Sequence, residues 1–145
     1  MDVTPQLIEI WKKSIIEIKL PSRWAPIWDG ANFYANNLPP DLNGKMMYVI
    51  TAYNPGSEVR TDQENLDADR QLRTRVEKIP FANWLESVGR SLSGSHAEYG
   101  YAVYGIDKEV ADKLSEEFGQ IGYYGFSKSG MAIYVKDQED GFIPV

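Results

Sequence analysis

The spacing of apolar and polar residues changes several times along the chain, and each change predicts an element. Thr4-Pro5 has the form of a helix start, with Thr4 as N-cap and Pro5 at the first helical position. Leu7, Ile8, Trp11 and Ile15 make its apolar face. The helical period fails after Ser14. Ile16, Ile18 and Leu20 then alternate with Glu17 and Lys19, which predicts a short strand, expected at a sheet edge. Residues 21–44 have no period. They carry Pro21, Pro26, Pro39 and Pro40 among several asparagines and predict a long loop. Met46 to Tyr53 is apolar on both alternating faces, the pattern of a central strand covered on both sides.

The chain leaves that strand abruptly. Asn54-Pro55-Gly56-Ser57 reads as a type I or II turn, with Asn54 pushed out of the helical region by the proline that follows. Thr61-Asp62-Gln63-Glu64 is a capping-box pattern. The helix it opens carries a stripe of Ala68, Leu72, Val76 and Ile79. Pro80 ends it. Phe81 to Arg90 predicts a strand, Ser91 to Ser95 a loop, and Ala97 to Ile106 a strand that places Glu98, Gly100, Ala102 and Tyr104 on one face. The small residues beside Glu98 leave space above that face for a helix or a ligand. Asp107 caps a third helix with Val110, Ala111, Leu114 and Phe118 as its stripe and Gly119 after its end. Ile121 to Phe126 and Met131 to Val135 are strands joined by a Ser127–Gly130 hairpin loop. An acidic tail from Asp137 ends with Phe142 and Ile143, which are placed to dock.

From the central strand onward the order is strand, helix, strand, strand, helix, strand. That is the βαββαβ order of a ferredoxin-like unit, here extended by an N-terminal helix and strand and a C-terminal hairpin strand. The expected fold is a single α+β domain over residues 1–145, with a mixed, mainly antiparallel sheet. A helix-covered mixed sheet of another topology is the alternative. In the split arrangement Glu98 begins a strand and Asn54 ends a parallel one, so the two are expected at opposite ends of the sheet.

Candidate chemistry gathers where the central strand meets its turn and helix. Asn54 and Ser57 stand at the strand's carboxyl end, Arg60 supplies a charge, and Asn65 leans towards the buried face of the following helix. Asn65 either contacts a ligand or hydrogen-bonds its own turn. Gln120 either reads a donor and an acceptor on a ligand or satisfies carbonyls at the third helix's end. His96, the sole histidine, lies two residues before Glu98, so an extended chain puts both on one face. Such a pair suits general acid–base work, although no obvious nucleophile accompanies it and a lone histidine is more often surface. No metal-ligand spacing, Walker sequence or G-x-G-x-x-G is present, so no metal or cofactor is expected.

The segments T-A-Y-N-P at Thr51 to Pro55, Glu64-Asn65 and Phe118-Gly119-Gln120 have a further implication. Together they resemble an uncharacterised bacterial family of the domain-of-unknown-function kind, the DUF 3293 type. The middle segment with Gly89, Ser91 and Glu98 fits it too. The resemblance implies no activity; it marks Asn54, Asn65, Glu98 and Gln120.

Composition narrows the function classes. The chain has 145 residues, a formal charge of −6 and no cysteine. Disulfides, thiolate nucleophiles and zinc–sulfur sites are therefore excluded. The negative charge disfavours general binding to nucleic-acid backbones. No run of ~18 apolar residues and no leader pattern is present, so a cytoplasmic protein without membrane association is expected. Two readings stand. The first is a site for a small polar or nucleotide-like ligand, with or without turnover, built from Asn54, Ser57, Arg60, Asn65, Glu98 and Gln120. The second is an acidic interaction protein, such as an immunity protein, antitoxin or inhibitor, for a basic bacterial or phage partner. In that reading Trp24, Trp28, Phe33 and Tyr34 of the long loop form the contact surface, unless they pack down on the sheet.

Overall fold

The computed structural model describes residues 5–135 and 141–144. Thr4, Asp137 and the side chains of Leu7, Ser57, Phe142 and Ile143 lie outside what is described. Three helices form: α1 (Pro5–Lys12), α2 (Asp62–Glu77) and α3 (Lys108–Glu117). Eight strands form: β1 (Ile15–Lys19), β2 (Trp24–Trp28), β3 (Met47–Thr51), β4 (Asn83–Arg90), β5 (Ala97–Tyr104), β6 (Gly122–Ser127), β7 (Gly130–Val135) and β8 (Gly141–Pro144). They make one sheet in the spatial order β2-β1-β4-β5-β3-β6-β7-β8.

Each face of the sheet is buried by a different layer. Tyr48, Ile50, Tyr101 and Val103 point to the face covered by α2 and α3, where Leu72, Val76, Ala111 and Leu114 meet them. Met47, Val49, Phe126 and Ile133 point to the other face. There α1 brings Ile8 and Trp11, and the long 29–46 arm brings Leu38 and Leu42. This double coverage is why β3 is apolar at successive positions. The capping box of α2 forms in full: Thr61 Oγ1 accepts from Glu64 N at 3.1 Å, and Glu64 Oε1 accepts from Thr61 N at 3.1 Å. Asp107 precedes α3 in extended conformation, but its side chain makes no cap hydrogen bond.

Several expectations are corrected. All described pairings are antiparallel, so the sheet is not mixed. The strand–helix–strand–strand–helix–strand succession from β3 to β6 is one part of an eight-stranded sheet. β1 is not an edge strand: it lies between β2 and β4. β2, within the stretch read as a loop, takes that edge. The tail returns as β8, pairing Met131 with Ile143 and Ala132 with Phe142.

The most consequential correction concerns direction. β3 and β5 are antiparallel neighbours, with Thr51 opposite Gly100 and Tyr48 opposite Val103. The end of β3 therefore coincides with the start of β5. Asn54 and Glu98 come to the same end of the sheet, not opposite ends.

Candidate functional site

The turn after β3 is built on two left-handed residues. Asn54 has φ 47° and ψ 62°, and Gly56 has φ 64°. Asn54 thus avoids the right-handed region, as the following proline requires, but it enters the left-handed one that asparagine tolerates better than most residues. Pro55–Ser57 is a short 3-10 segment in which Gly56 takes the positive φ that a glycine at the third position of the expected turn permits. The amide of Gly56 donates to the carbonyl of Gly119 at 2.7 Å, which ties this turn to the end of α3. Gln120 reinforces the junction. Its Nε2 donates to the carbonyls of Tyr53 and Phe118, both at 3.1 Å. The T-A-Y-N-P and F-G-Q segments are the two sides of one joint.

Asn65 braces the same turn from α2. It is 5% exposed. Its Oδ1 accepts from Asn54 N at 2.9 Å, and its Nδ2 donates to Asn54 Oδ1 at 3.0 Å. Asn54 Oδ1 also accepts from Arg60 N at 3.0 Å. Two backbone donors, from Asn54 and Arg60, therefore fix the sense of both amides. Asn54 Nδ2 is left to face Glu98, and it is one of the groups that hydrogen-bond that carboxylate. Asn65 acts through Asn54 and is a positioning residue.

Glu98 begins the polar end of the site. His96 Nε2 lies 3.3 Å from Glu98 Oε2. Burial pushes the Glu98 carboxyl above its ordinary value of 4.5, and the neighbouring His96 and the Asn54 amide only partly offset this. His96 itself is anchored by its backbone: His96 N donates to Ser91 Oγ at 3.1 Å and Ser91 N donates to the His96 carbonyl at 3.0 Å.

A cavity of about 340 Å³ opens above this end of the sheet. Its polar end holds Asn54, His96, Glu98 and Gln120, and its apolar wall includes Trp11, Ile16, Ile121 and Tyr124. Its floor is low because the strands present small residues. Ser87 and Gly89 of β4 sit opposite Gly100 and Glu98 of β5. A Cβ on Gly89 would meet only Ile16 Cδ1, at 3.5 Å. The helix α1 forms one side, held by Tyr124 Oη donating to the Trp11 carbonyl at 2.8 Å and Trp28 Nε1 donating to the Lys12 carbonyl at 2.6 Å. A concave, largely apolar pocket with a few convergent polar groups is the usual form of a small-molecule site.

The other candidates are placed as follows. Asn54, Glu98 and Gln120 converge on the cavity; Asn65 stands behind it. Arg60 does not line it, and its guanidinium lies 3.4 Å from Glu58. Ser57 closes the turn, its side chain outside the described groups. The aromatic residues of the long arm disperse. Trp28 and Phe33 pack into the core, with Phe33 stacked on Phe126 at 6.2 Å. Trp24 meets Tyr99 edge-on at 6.4 Å, and the Tyr34 hydroxyl donates to Asp29 at 2.6 Å. Asp29 also accepts from the amides of Ala31 and Asn32, which orders the arm and holds its carboxyl well below the usual range, the Tyr34 hydroxyl most of all.

Sequence reasoning did not name Trp11, Ser87, Gly89 or Tyr124 as site residues. The one available signal was Ser87 and Gly89 two apart on a strand, small residues on one face. Among the described residues no three His, Cys, Asp or Glu side chains gather to hold a metal ion. No helix among the described residues is long and apolar enough to cross a membrane.

Residues 50–121 match the model of a family described as a protein of unknown function (DUF3293). The match runs from β3 to the residue before β6 and takes in Asn54, Asn65, Glu98 and Gln120. No curated protein and no solved structure matches the chain.

Proposed function

From the premise that the chain belongs to the DUF3293 family, which brings no activity with it, we propose that the protein binds a small organic ligand in the cavity between α1 and the β3–β5 end of the sheet. One observation carries this reading. Four polar residues from three segments, Asn54, His96 with Glu98, and Gln120, line one polar end of a single cavity of about 340 Å³. A fold that only needed a core would fill that space with side chains. Instead β4 presents Ser87 and Gly89 beneath it. His96 and Glu98 form a proton-transfer pair suited to general acid–base work on a bound ligand, so turnover is the natural extension of binding.

The interaction-protein reading has one observation in its favour, the net charge of −6. Against it, Trp28 and Phe33 are partly buried and pack against the core, and Trp24 and Tyr34 are separately engaged, so the four do not form one surface.

The test is a thermal-shift screen of amines, amides, sugars, amino acids and nucleosides on wild type and on Gly89→Leu. That substitution fills the floor without replacing a polar anchor. A ligand at ~100 times its dissociation constant adds about 2.7 kcal/mol, or roughly 5–10 °C for a domain of this size. Shifts present in wild type and lost in Gly89→Leu are expected. Shifts that survive the plug place the ligand elsewhere and refute the proposal.

A further inference from the structure

We infer that the pocket recognises the nitrogen donors of its ligand, an amine or amidine group carried on a flat apolar body, and rejects anions such as carboxylates and phosphates. The inference rests on the pocket being the ligand site, and it comes from counting which hydrogen-bonding groups the protein has already used. Asn54 Oδ1 is taken by Arg60 N and Asn65 Nδ2. Asn54 Nδ2 faces Glu98. Gln120 Nε2 is taken by two carbonyls, which leaves Oε1, an acceptor. Thr51 Oγ1 donates to the Tyr99 carbonyl at 2.8 Å and accepts from Tyr53 N at 3.0 Å. The Tyr124 hydroxyl donates to the Trp11 carbonyl.

What remains open at the polar end is mostly acceptor. Glu98 has about four lone-pair positions, of which His96 and Asn54 use two. Gln120 adds one amide oxygen. Ser87 adds a hydroxyl that can serve either way, Ser14 Oγ already donates to the Ile10 carbonyl at 3.1 Å, Ser91 Oγ already accepts from His96 N at 3.1 Å, and the His96 ring, whose Nε2 is spent on Glu98, adds Nδ1. The one arginine at the rim, Arg90, does not reverse this balance. It is paired with Ile15 and Ala97, which puts its side chain on the face opposite to Glu98, and its Nε lies 2.7 Å from Glu17 Oε1. No lysine lines the cavity.

A ligand anion would therefore meet a half-buried carboxylate with few donors to receive it. A ligand N–H group would meet two acceptors, one of them able to make the stronger charge-assisted bond. The remainder of the ligand would lie against Trp11, Ile16, Ile121 and Tyr124.

The test uses probes of matched shape: benzamidine, benzoate and neutral phenol, titrated into 15N-labelled full-length protein and followed by amide chemical shifts. Expected are saturable shifts at Glu98, Gln120 and Gly89 with benzamidine and none with benzoate. Glu98→Gln, which keeps size and loses charge, should weaken benzamidine at least tenfold while leaving phenol binding within twofold. Three results would overturn the inference and keep the pocket: benzoate binding as tightly as benzamidine, phenol binding alone, or benzamidine indifferent to Glu98→Gln. No shift of these amides with any of the three probes would refute both the inference and the ligand-site proposal.

Discussion

Replacing Asn65 tests how the site is held. Asn65 is 5% exposed and makes two hydrogen bonds to Asn54, at 2.9 and 3.0 Å. Asn65→Leu keeps the volume and removes both. Asn54 N is then a part-buried donor without a partner, which costs about 1–3 kcal/mol, and the lost side-chain bond costs about 1 kcal/mol more. The added apolar burial offsets some of this, so a net loss of about 2–3 kcal/mol is expected. With a urea m-value of about 1.5 kcal/mol/M, the unfolding midpoint should fall by roughly 1.3–2 M. Asn65→Asp separates the two bonds. It keeps the acceptor for Asn54 N but sets a carboxylate oxygen against Asn54 Oδ1. Relief requires the Asn54 amide to turn over, which takes the acceptor away from Arg60 N and points an oxygen at Glu98. Ligand binding should then weaken more than stability. A midpoint for Asn65→Leu within about 0.3 M of wild type would refute the brace.

Three further outcomes follow from the geometry. Glu98→Gln should make stability less dependent on pH: the folded state raises the Glu98 pKa, so between 4.5 and that raised value the native protein binds more protons than the unfolded chain. Wild type therefore gains stability relative to Glu98→Gln as pH falls through this window, and urea midpoints at several pH values will show whether it does. Phe81 is 95% exposed at φ 65°, so Phe81→Gly should stabilise by about 1 kcal/mol in thermal unfolding; a loss of stability would contradict it. A Cβ on Gly100 would run into the Ile50 carbonyl oxygen, so Gly100→Ala should force β3 and β5 apart and cost about 3 kcal/mol or more; a near-neutral effect would show that the pairing tolerates a side chain.

Local chemistry made much of this legible in the sequence. The Thr61–Glu64 capping box, the buried character of β3 and the space beside Glu98 each follow from residue types a few positions apart. The meeting of T-A-Y-N-P with F-G-Q was visible only as two notable segments, because their joint is made by Gly56 N and Gln120 Nε2 reaching across more than sixty residues. The union of Asn54 with Glu98 was hidden for the same reason. It depends on the direction of one long-range strand pairing, which no local pattern encodes. β2 escaped notice because Pro26 reads as a breaker. At a sheet edge the missing N–H costs nothing, and the Pro26 carbonyl is used by Asn37 Nδ2 at 2.8 Å. Once β2 takes the edge, β1 becomes an interior strand.

The most direct measurement is a crystal structure of the protein soaked with a library of small fragments. Fragment density between Trp11 and Glu98, with nitrogen donors directed at Glu98 and the Gln120 oxygen, is the result the account predicts. Fragments that settle repeatedly elsewhere, such as the shallow groove of Arg70, Thr74 and Glu117, while the cavity stays empty, would contradict it.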